Sequence, residues 1–360
     1  MRCSVVAVAL SFACALFEGA CGPANAADAG GPVDSGADAE ASNEAGADAD
    51  AAGPSPGTVL ADGQGGPDGI AVDATNVYWT NHTTGQVMKC AIAGCGDQPT
   101  VLASGQAYPG GIAVDATSVY WANEGATGTD GQVMKCAIGG CPTGPTVLAS
   151  GQSLPEALAV DSQRVYWADF GTSTGNGAIV ARATSGCSQP TVLAPAEDEP
   201  RGLALDGSNV YFATNTDGGQ VLRCPLSGCT GAPTVVGAGY DDPLGIVVAA
   251  TTVFFTVYGD EAGGRVLACP VSGCSGALTT LAREQPGVQD LAVGKTQVYW
   301  TNHDGGELRA CSPGGCDLNP TLFSAGDDNP TGIVTDSTRV YWTDYGSEHA
   351  DGRVLVKAQL

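Results

Sequence analysis

The chain has 360 residues, and its 38 acidic against 14 basic side chains leave a formal net charge of −24. This charge argues against binding to nucleic acid, which begins with Lys and Arg neutralising phosphates, and against recruitment to anionic lipid surfaces. The 53 glycines, with only 14% charged residues, argue against helix bundles and coiled coils. The length fits two domains of ordinary size or one large all-β domain.

Residues 1–20 predict an export signal, because a positively charged start precedes an apolar run, 3–17, that is too short to span a bilayer. Two processing sites stay open. One lies after the small residues 24–26. The other lies before Cys21, which resembles the lipidated cysteine of bacterial lipoproteins, although Glu18 departs from their aliphatic residue. We therefore expect an exported protein of the bacterial cell envelope, either an outer-membrane lipoprotein or a periplasmic or extracellular protein.

Residues 21–57 predict a disordered acidic tether rich in Ala, Gly and Asp. From residue 27 onwards this stretch has no aromatic residue and no Lys or Arg. It cannot bury enough apolar surface to offset its ordering entropy, and its like charges repel one another. We interpret it as a solvated spacer. Its acidic residues are Asp28, Asp34, Asp38, Glu40, Glu44, Asp48 and Asp50.

A repeat fills residues 58–360 and determines the fold prediction. Its seven copies begin at residues 59, 101, 147, 192, 235, 280 and 322, with spacings of 42, 46, 45, 43, 45 and 42 residues. Each copy contains short apolar or alternating segments bounded by Gly, Pro, Asn and Asp, which predict four strands per copy. No helical periodicity appears after residue 57. Four strands in 42–46 residues are typical of a β-propeller blade.

The two ends of the repeat predict how the ring closes. The seventh copy lacks an outermost fourth strand, whereas residues 58–61 form a strand that precedes the first complete blade. Pairing these two segments completes the last blade and removes an exposed sheet edge. We therefore predict an all-β fold, a seven-bladed β-propeller with four-stranded blades, closed by pairing of the N-terminal strand with the last blade.

The second strand of each copy carries an aromatic motif, and the last of these reads Tyr341-Trp342-Thr343-Asp344. The repeat therefore resembles the YWTD (low-density-lipoprotein-receptor class B) and NHL propeller families over residues 58–360. YWTD propellers usually have six blades, so the resemblance implies the architecture and not the partner. All five Trp residues occupy this motif. We interpret them as packing between blades, with ligand stacking as the alternative.

The cysteines follow the repeat as five C-x4-C pairs at the end of the third strand. A four-residue hairpin brings such a pair to disulfide distance, and an exported protein meets an oxidising compartment. A zinc site would need four converging ligands, whereas these pairs fall one to a blade. Arg182 replaces the first cysteine of the third copy, so we expect Cys187 to be unpaired and to give one free thiol. The predicted disulfides are Cys90–Cys95, Cys136–Cys141, Cys224–Cys229, Cys269–Cys274 and Cys311–Cys316.

An aspartate recurs at the end of the first strand, and we interpret it as a turn residue and not as part of a calcium ladder. A carboxylate at this position accepts backbone N–H bonds of the following turn. The recurring residues are Asp73, Asp115, Asp161, Asp206 and Asp336.

Strand order predicts which face carries function. The loops from the fourth to the next first strand and from the second to the third strand emerge on the same side. The first set places seven different residues around the channel mouth: Asp68, Gly110, Glu156, Arg201, Leu244, Gln289 and Thr331. The second set contains all three histidines, in blades one, six and seven, which are neighbours in a closed ring: His82, His303 and His349.

Several interpretations of the histidine loops stay open. With Asp68, Asp304, Asp344 and Glu348 nearby in the pattern, three imidazoles can coordinate a divalent metal or supply an acid/base pair. They can also form a polar or pH-sensitive binding surface, or be unrelated loop residues. No cofactor is expected other than such a metal.

Two classes of function remain. The first is a tethered, monomeric, non-enzymatic binding or scaffolding propeller for a protein, peptide or carbohydrate, meeting a membrane only through an N-terminal lipid. The second is a hydrolase or lyase that resembles propeller lactonases or streptogramin lyases in general plan and uses the His-bearing loops. The chain has no phosphate-loop or His-Glu-x-x-His motif. We favour the binding module, because fold alone does not determine function.

Overall fold

A computed structural model describes residues 56–258, 263–347 and 351–360, and within these ranges every regular element is a β-strand. The strands form seven antiparallel sheets of four strands each, which confirms the predicted seven-bladed β-propeller. The predicted export signal, Cys21 and most of the tether lie outside the described residues. No helix in the described ranges is long and apolar enough to cross a membrane.

Six blades contain four consecutive strands each. Blade 1 comprises β2 (Pro67–Val72), β3 (Asn76–Asn81), β4 (Gln86–Ala91) and β5 (Thr100–Ala103). Blade 2 comprises β6 (Pro109–Val114), β7 (Ser118–Asn123), β8 (Gly131–Ala137) and β9 (Thr146–Gln152), and blade 3 comprises β10 (Pro155–Val160), β11 (Arg164–Asp169), β12 (Gly177–Ala183) and β13 (Thr191–Glu197). Blade 4 comprises β14 (Pro200–Leu205), β15 (Asn209–Thr214), β16 (Asp217–Pro225) and β17 (Thr234–Asp241), and blade 5 comprises β18 (Pro243–Ala249), β19 (Thr252–Val257), β20 (Gly264–Pro270) and β21 (Thr279–Gln285). Blade 6 comprises β22 (Val288–Val293), β23 (Val298–Asn302), β24 (Glu307–Cys311) and β25 (Thr321–Ala325).

Blade 7 is built from both ends of the repeat. It comprises β26 (Pro330–Thr335), β27 (Arg339–Asp344), β28 (Gly352–Ala358) and β1 (Thr58–Gln64). Strand β1 is antiparallel to β28, with Thr58 opposite Val356 and Ala61 opposite Val354. The innermost strands β2 and β26 also contact each other, so blades 1 and 7 are neighbours. The predicted closure is confirmed.

Aromatic side chains of the second strands fill the spaces between blades. Trp121 of blade 2 is fully buried in a cluster with Tyr78, Val87 and Leu102 of blade 1. Trp79 of blade 1 packs in the same way against blade 7. Every blade is covered on both faces by its neighbours, which explains why the second strands are apolar without alternation. The interpretation of the Trp residues as inter-blade packing is confirmed.

A hydrogen-bonded triad supports the Trp near the mouth end in blades 1, 2 and 6. In blade 1, Trp79 Nε1 and Asn81 Nδ2 both donate to Gln64 Oε1, each at 3.1 Å. Blades 2 and 6 repeat this triad with the same residue types. In blade 3 the Asn position is Asp169, whose pKa burial raises to about 7. In blade 7, Trp342 Nε1 donates to Asp327 and the Asn position is Asp344, so the triad is a framework feature of three blades with acidic exceptions in blades 3 and 7.

The recurring aspartates act at the opposite end, where the first and second strands connect. Asp73 Oδ1 accepts the backbone N–H groups of Thr75 and Asn76, at 2.6 and 2.7 Å. Its Oδ2 accepts the hydroxyl of the buried Tyr78 at 2.7 Å. These bonds confirm the turn interpretation. The same Asp–Tyr bond forms in blades 2, 3, 4 and 7.

All five predicted hairpin disulfides are present, with Cα–Cα distances of 5.0–5.6 Å. Two of the hairpins also cover the outer edge of the preceding blade, since the backbone N–H of Cys229 donates to Leu193 O and that of Cys274 to Val236 O. In blade 7, Lys357 Nζ donates to Phe323 O at 2.6 Å instead. Five disulfides indicate an oxidising, extracytoplasmic compartment. Cys187 is also disulfide-bonded, so the expectation of a free thiol there is wrong.

Candidate binding site at the channel mouth

Two rings of side chains surround the end of the central channel. The inner mouth ring is the second residue of each innermost strand, and its seven members are all different: Asp68, Gly110, Glu156, Arg201, Leu244, Gln289 and Thr331. The outer mouth ring is the residue that follows each second strand: His82, Glu124, Phe170, Asn215, Tyr258, His303 and Tyr345.

The same backbone bond holds every member of the outer mouth ring. His82 N donates to Gly66 O at 2.8 Å, and His303 N donates to Gly287 O at 3.0 Å. Corresponding bonds of 2.9–3.1 Å form in the other five blades. The loops therefore present five different residue types, with His and Tyr each used twice, from one backbone geometry.

The two histidine blades differ from the others at the loop residue that accepts this bond. It is Gly66 in blade 1 and Gly287 in blade 6, both with positive φ, whereas blades 2–5 and 7 have larger residues. A Cβ atom at Gly66 would lie 2.9 Å from the Tyr345 ring, and one at Gly287 would lie 2.5 Å from Asp304 Cγ. The equivalent residues of blades 2–5 also have positive φ, so the distinguishing feature is the missing side chain, which lets Tyr345 and Asp304 approach the two imidazoles.

A cavity of about 260 Å³ lies over blade 7 between the two imidazoles; we call it the mouth cleft. It is lined by Asp68, His82, His303, Thr331 and Tyr345. A second cavity of about 290 Å³ adjoins it across Asp68 and extends to Glu156 and Arg201. Both open onto the central channel, of about 350 Å³, whose wall also includes Asp68.

His82 contacts a carboxylate of the next blade. Its Nε2 lies 3.5 Å from Glu124 Oε1, and the hydrogen bond and charge of Glu124 raise the pKa of His82. The imidazole ring lies 5.4 Å from the ring of Tyr108 and 6.4 Å from that of Tyr345. His82 is therefore a half-buried, carboxylate-supported imidazole at the entrance of the mouth cleft.

His303 has its own carboxylate partner. Its Nδ1 lies 2.9 Å from Asp304 Oδ1, and Tyr258 OH donates to the other oxygen of Asp304 at 3.4 Å. A carboxylate on one ring nitrogen orients the imidazole and leaves the opposite nitrogen for a ligand or a proton.

Glu156 and Arg201 form the other side of the mouth. Arg201 Nε lies 3.4 Å from Glu156 Oε2, and its guanidinium lies 4.8 Å from the Phe170 ring centre. Burial raises the pKa of Glu156 to about 7 despite this pair, with Glu124 and Asp68 adding to the rise. This side carries both signs of charge, whereas the mouth cleft carries Asp68 without Lys or Arg in its lining.

The predicted site residues divide into three groups. Asp68, Glu156, Arg201, Gln289 and Thr331 lie around the channel, as does Leu244, and Gly110 lines the adjoining cavity. His82 and His303 meet at the mouth cleft, with Asp304 beside His303. Glu348 and His349 lie outside the described residues.

Asp344 does not face the mouth, contrary to the prediction. It is fully buried, accepts bonds from the backbone N–H groups of Asp328 and Asn329, and pairs with Arg353. Its role is to hold the loops of blade 7. Across residues 56–258, 263–347 and 351–360, no three His, Cys, Asp or Glu side chains are arranged to hold a metal ion, so the suggested metal site is not supported there.

Four residues of the site escaped the sequence analysis: Glu124, Tyr345, Tyr108 and Asp290. The first two occupy the outer mouth ring, one residue beyond each second strand, at the position where His82 was found. Aligning the seven copies at this position would have identified both. Asp290 stands where five other blades have glycine and blade 3 has alanine, so its side chain in the channel wall departs visibly from the repeat.

No family model matches the chain, and no curated protein matches its sequence. Solved structures share its fold. Virginiamycin B lyase from Staphylococcus aureus matches with a TM-score of 0.64 at 14% identity, covering 82% of this chain and 96% of that chain. A catalytically inactive variant of that enzyme has been solved with quinupristin.

Two further structures show the same architecture. A nidogen/laminin complex matches with a TM-score of 0.53 at 16% identity, covering 70% of this chain and 95% of that chain. A protein described as a gluconolactonase matches with a TM-score of 0.52 at 11% identity, covering 84% and 93%. Lyases, lactonases and protein-binding propellers thus share this fold.

Proposed function

We propose that the protein is a binding propeller and that its ligand occupies the mouth cleft. The observation that supports this most directly is the pairing of His82 and His303 with Gly66 and Gly287. Glycine at these two loop positions leaves room for Tyr345 beside His82 and for Asp304 beside His303, while the five other blades place a larger residue there. Polar groups that converge on a concave site are the usual form of a ligand pocket.

The repeat supports the same conclusion. Positions that build the blades recur around the ring, whereas the inner mouth ring has a different residue in every blade. Packing alone gives no reason for seven different side chains on one backbone position, but recognition of an asymmetric ligand does.

Screening the full chain against peptide and glycan arrays tests the proposal. A ligand that binds the mouth should lose at least tenfold in affinity when His82→Ala and His303→Ala are combined. The matched control is Lys295→Ala, an exposed side chain at the opposite end of blade 6. A ligand that binds the double variant as tightly as the unmodified chain would place recognition elsewhere.

A second candidate is an acid/base enzyme, favoured by the two carboxylate-supported imidazoles. His82, with its raised pKa, would donate a proton, while His303, oriented by Asp304, would accept one. Incubation with quinupristin and with a sugar lactone, followed by mass spectrometry, tests this function. Turnover that His303→Ala abolishes would establish the enzyme, and unchanged substrates would leave the binding module.

We further propose that the protein is exported and tethered by a lipid on Cys21. The five hairpin disulfides support an oxidising compartment. In bacteria fed a labelled fatty acid, the chain should carry the label and Cys21→Ala should abolish it. An unlabelled mature protein beginning at residue 27 would instead indicate free secretion.

A further inference from the structure

We infer that the ligand of the mouth cleft carries a basic group, an amine or a guanidinium, and that the Asp68 carboxylate binds it. This inference rests on the proposed binding function and adds the chemistry of the ligand.

Asp68 has the central position at the mouth. It lines the mouth cleft, the adjoining cavity and the channel, and it is common to all three. Its backbone is fixed, because its carbonyl accepts the Thr343 hydroxyl at 2.6 Å. A ligand seated over the channel therefore meets this side chain whichever cavity it enters.

The Asp68 carboxylate lacks the donors that other carboxylates of the propeller have. Asp73 accepts four hydrogen bonds, and Asp290 in the channel wall accepts the backbone N–H groups of Leu291 and Ile333 at 2.8 and 3.2 Å. Among the hydrogen bonds of the described ranges, none reaches the Asp68 side chain, and its surroundings raise its pKa by desolvation. Asp68 is only partly buried and lines all three cavities, so a ligand can reach its carboxylate and supply the donor that the protein does not.

The charges that face Asp68 favour a cation. Arg201 is held by Glu156 and by the Phe170 ring, and His82 is held by Glu124. His303 is held by Asp304 across the cleft. Each positively charged group near the mouth thus has its own carboxylate partner, and the Asp68 carboxylate adds a further negative charge. The formal net charge of −24 adds long-range attraction for cations.

Aromatic faces at the cleft suit an organic cation better than a bare metal ion. Tyr345 lines the cleft, and Tyr108, which is 49% exposed, lies beside His82. Aromatic rings attract amines and guanidinium groups through cation–π contacts. An anionic ligand would meet Asp68 directly and would have to displace Glu156 from Arg201.

NMR of the full chain labelled at histidine tests the inference, because the chain has only three imidazoles. The probes are the N-acetyl amides of lysine, arginine, glutamine and glutamate, which differ only in their side chains. We expect saturable shifts of the His82 and His303 signals with the lysine and arginine amides, and at least tenfold weaker binding of the glutamine amide. The arginine amide should bind at least as well as the lysine amide, since its guanidinium can bridge both carboxylate oxygens.

Asp68→Asn should weaken binding of the basic amides at least tenfold without changing the melting temperature by more than a few degrees. The matched control is Glu284→Gln, which removes the same charge from an exposed edge strand. Affinity for the lysine amide should fall towards acidic pH, because the pKa values of Asp68 and His82 are both raised, and protonation of either group disfavours a cation.

Equal binding of the glutamine amide, or an unchanged affinity in Asp68→Asn, would overturn the inference. Shifts of the same histidines by the glutamate amide alone would overturn it as well but would leave the mouth as a binding face. If no amide shifts either histidine, while a ligand found on the arrays does so and is uncharged, only the cation inference fails. If nothing perturbs these imidazoles, the proposed function fails with it.

Discussion

The two ends of the propeller use their side chains in opposite ways. At the turn end, an aspartate accepts a tyrosine hydroxyl in blades 1, 2, 3, 4 and 7, with distances of 2.7–2.8 Å. At the mouth end, the inner mouth ring has seven different residues. The mouth end rests on an equivalent backbone hydrogen bond in every blade, and the turn end on one that recurs in blades 1–4, 6 and 7. The side chains at the turn end therefore stabilise the framework, whereas those at the mouth end can differ between blades to suit the ligand.

The ring depends on its closing strand more than on any single side chain. Deleting 58–61 would expose the edge of β28 and uncover the core around Trp79, in which Leu60 and Ala61 are buried. We expect the loss to exceed the total stability of a typical domain, about 5–15 kcal/mol, and the protein to aggregate.

Circular dichroism during heating and size-exclusion chromatography measure this effect. Deletion of residues 40–43, in the predicted tether, is the control of equal length. A deletion variant lacking 58–61 that melts cooperatively at the original temperature would contradict the closure.

A pair of acidic variants sharpens the comparison of the two ends. Asp115→Ala removes the acceptor of Tyr120 OH and of two backbone N–H groups, and leaves a buried hydroxyl without a partner. We expect it to cost about 2–3 kcal/mol. Glu156→Gln at the mouth should change stability by less than about 0.5 kcal/mol at pH 7 or raise it. Denaturant unfolding of both variants measures the contrast, and equal losses would show that the mouth also serves the framework.

Blade 3 offers a stabilising change. Asp169 occupies the position at which blades 1, 2 and 6 have Asn81, Asn123 and Asn302, whose side-chain N–H groups donate to the triad glutamine. Asp169→Asn should restore that donor and gain about 1 kcal/mol at pH 8, a rise of about 2–4 °C in melting temperature. The reverse change, Asn302→Asp, should lower stability by a similar amount, and differential scanning calorimetry detects both. A loss of stability in Asp169→Asn would show that blade 3 has adapted its packing to the acid.

Most of the fold was predictable because the same pattern of strands and turns recurs in the seven copies of the repeat. The spacing of Val59, Val101 and Val147 located the blades, and the missing fourth strand of the last copy located the closure. The turn role of Asp73 followed from local chemistry, since a carboxylate that precedes a short turn reaches the N–H groups two and three residues ahead.

For the site, strand order predicted which face carries the residues but not which side chains contact one another. Strand order places Asp68 and His82 on one face, but the contact between His82 and Glu124 joins loops of different blades and depends on their three-dimensional path. The prediction for Asp344 was wrong for a different reason, because Arg353, its partner on the adjacent strand of the same blade, draws its carboxylate into blade 7. The prediction of a free thiol at Cys187 was wrong, because spacing within the repeat reveals only disulfides between cysteines that are close in sequence.

The smallest predicted effect is on the pH dependence of stability. Because four buried carboxyl groups have raised pKa values, the protein should be most stable at mildly acidic pH. Burial raises the pKa values of Glu156, Asp169, Glu197 and Asp327 to about 7. A carboxyl whose pKa is higher in the folded than in the unfolded chain binds its proton more tightly when folded. Its contribution is complete below the unfolded value, near 4, and is lost as the pH rises through about 7.

The turn aspartates act in the opposite direction. Hydrogen bonds lower the pKa of Asp73 and its four equivalents, so their contribution is lost as the pH falls below about 4. The melting temperature should therefore be highest between about pH 4.5 and 6 and fall by a few degrees towards pH 8. Repulsion within a chain of net charge −24 acts in the same direction, but salt screens it, whereas buried carboxyls respond little to salt. In 0.5 M NaCl, the decline towards pH 8 should persist in the unmodified chain and be reduced in Asp169→Asn. A melting temperature that rises from pH 5 to 8 under these conditions would show that the buried carboxyls are ionised at little cost.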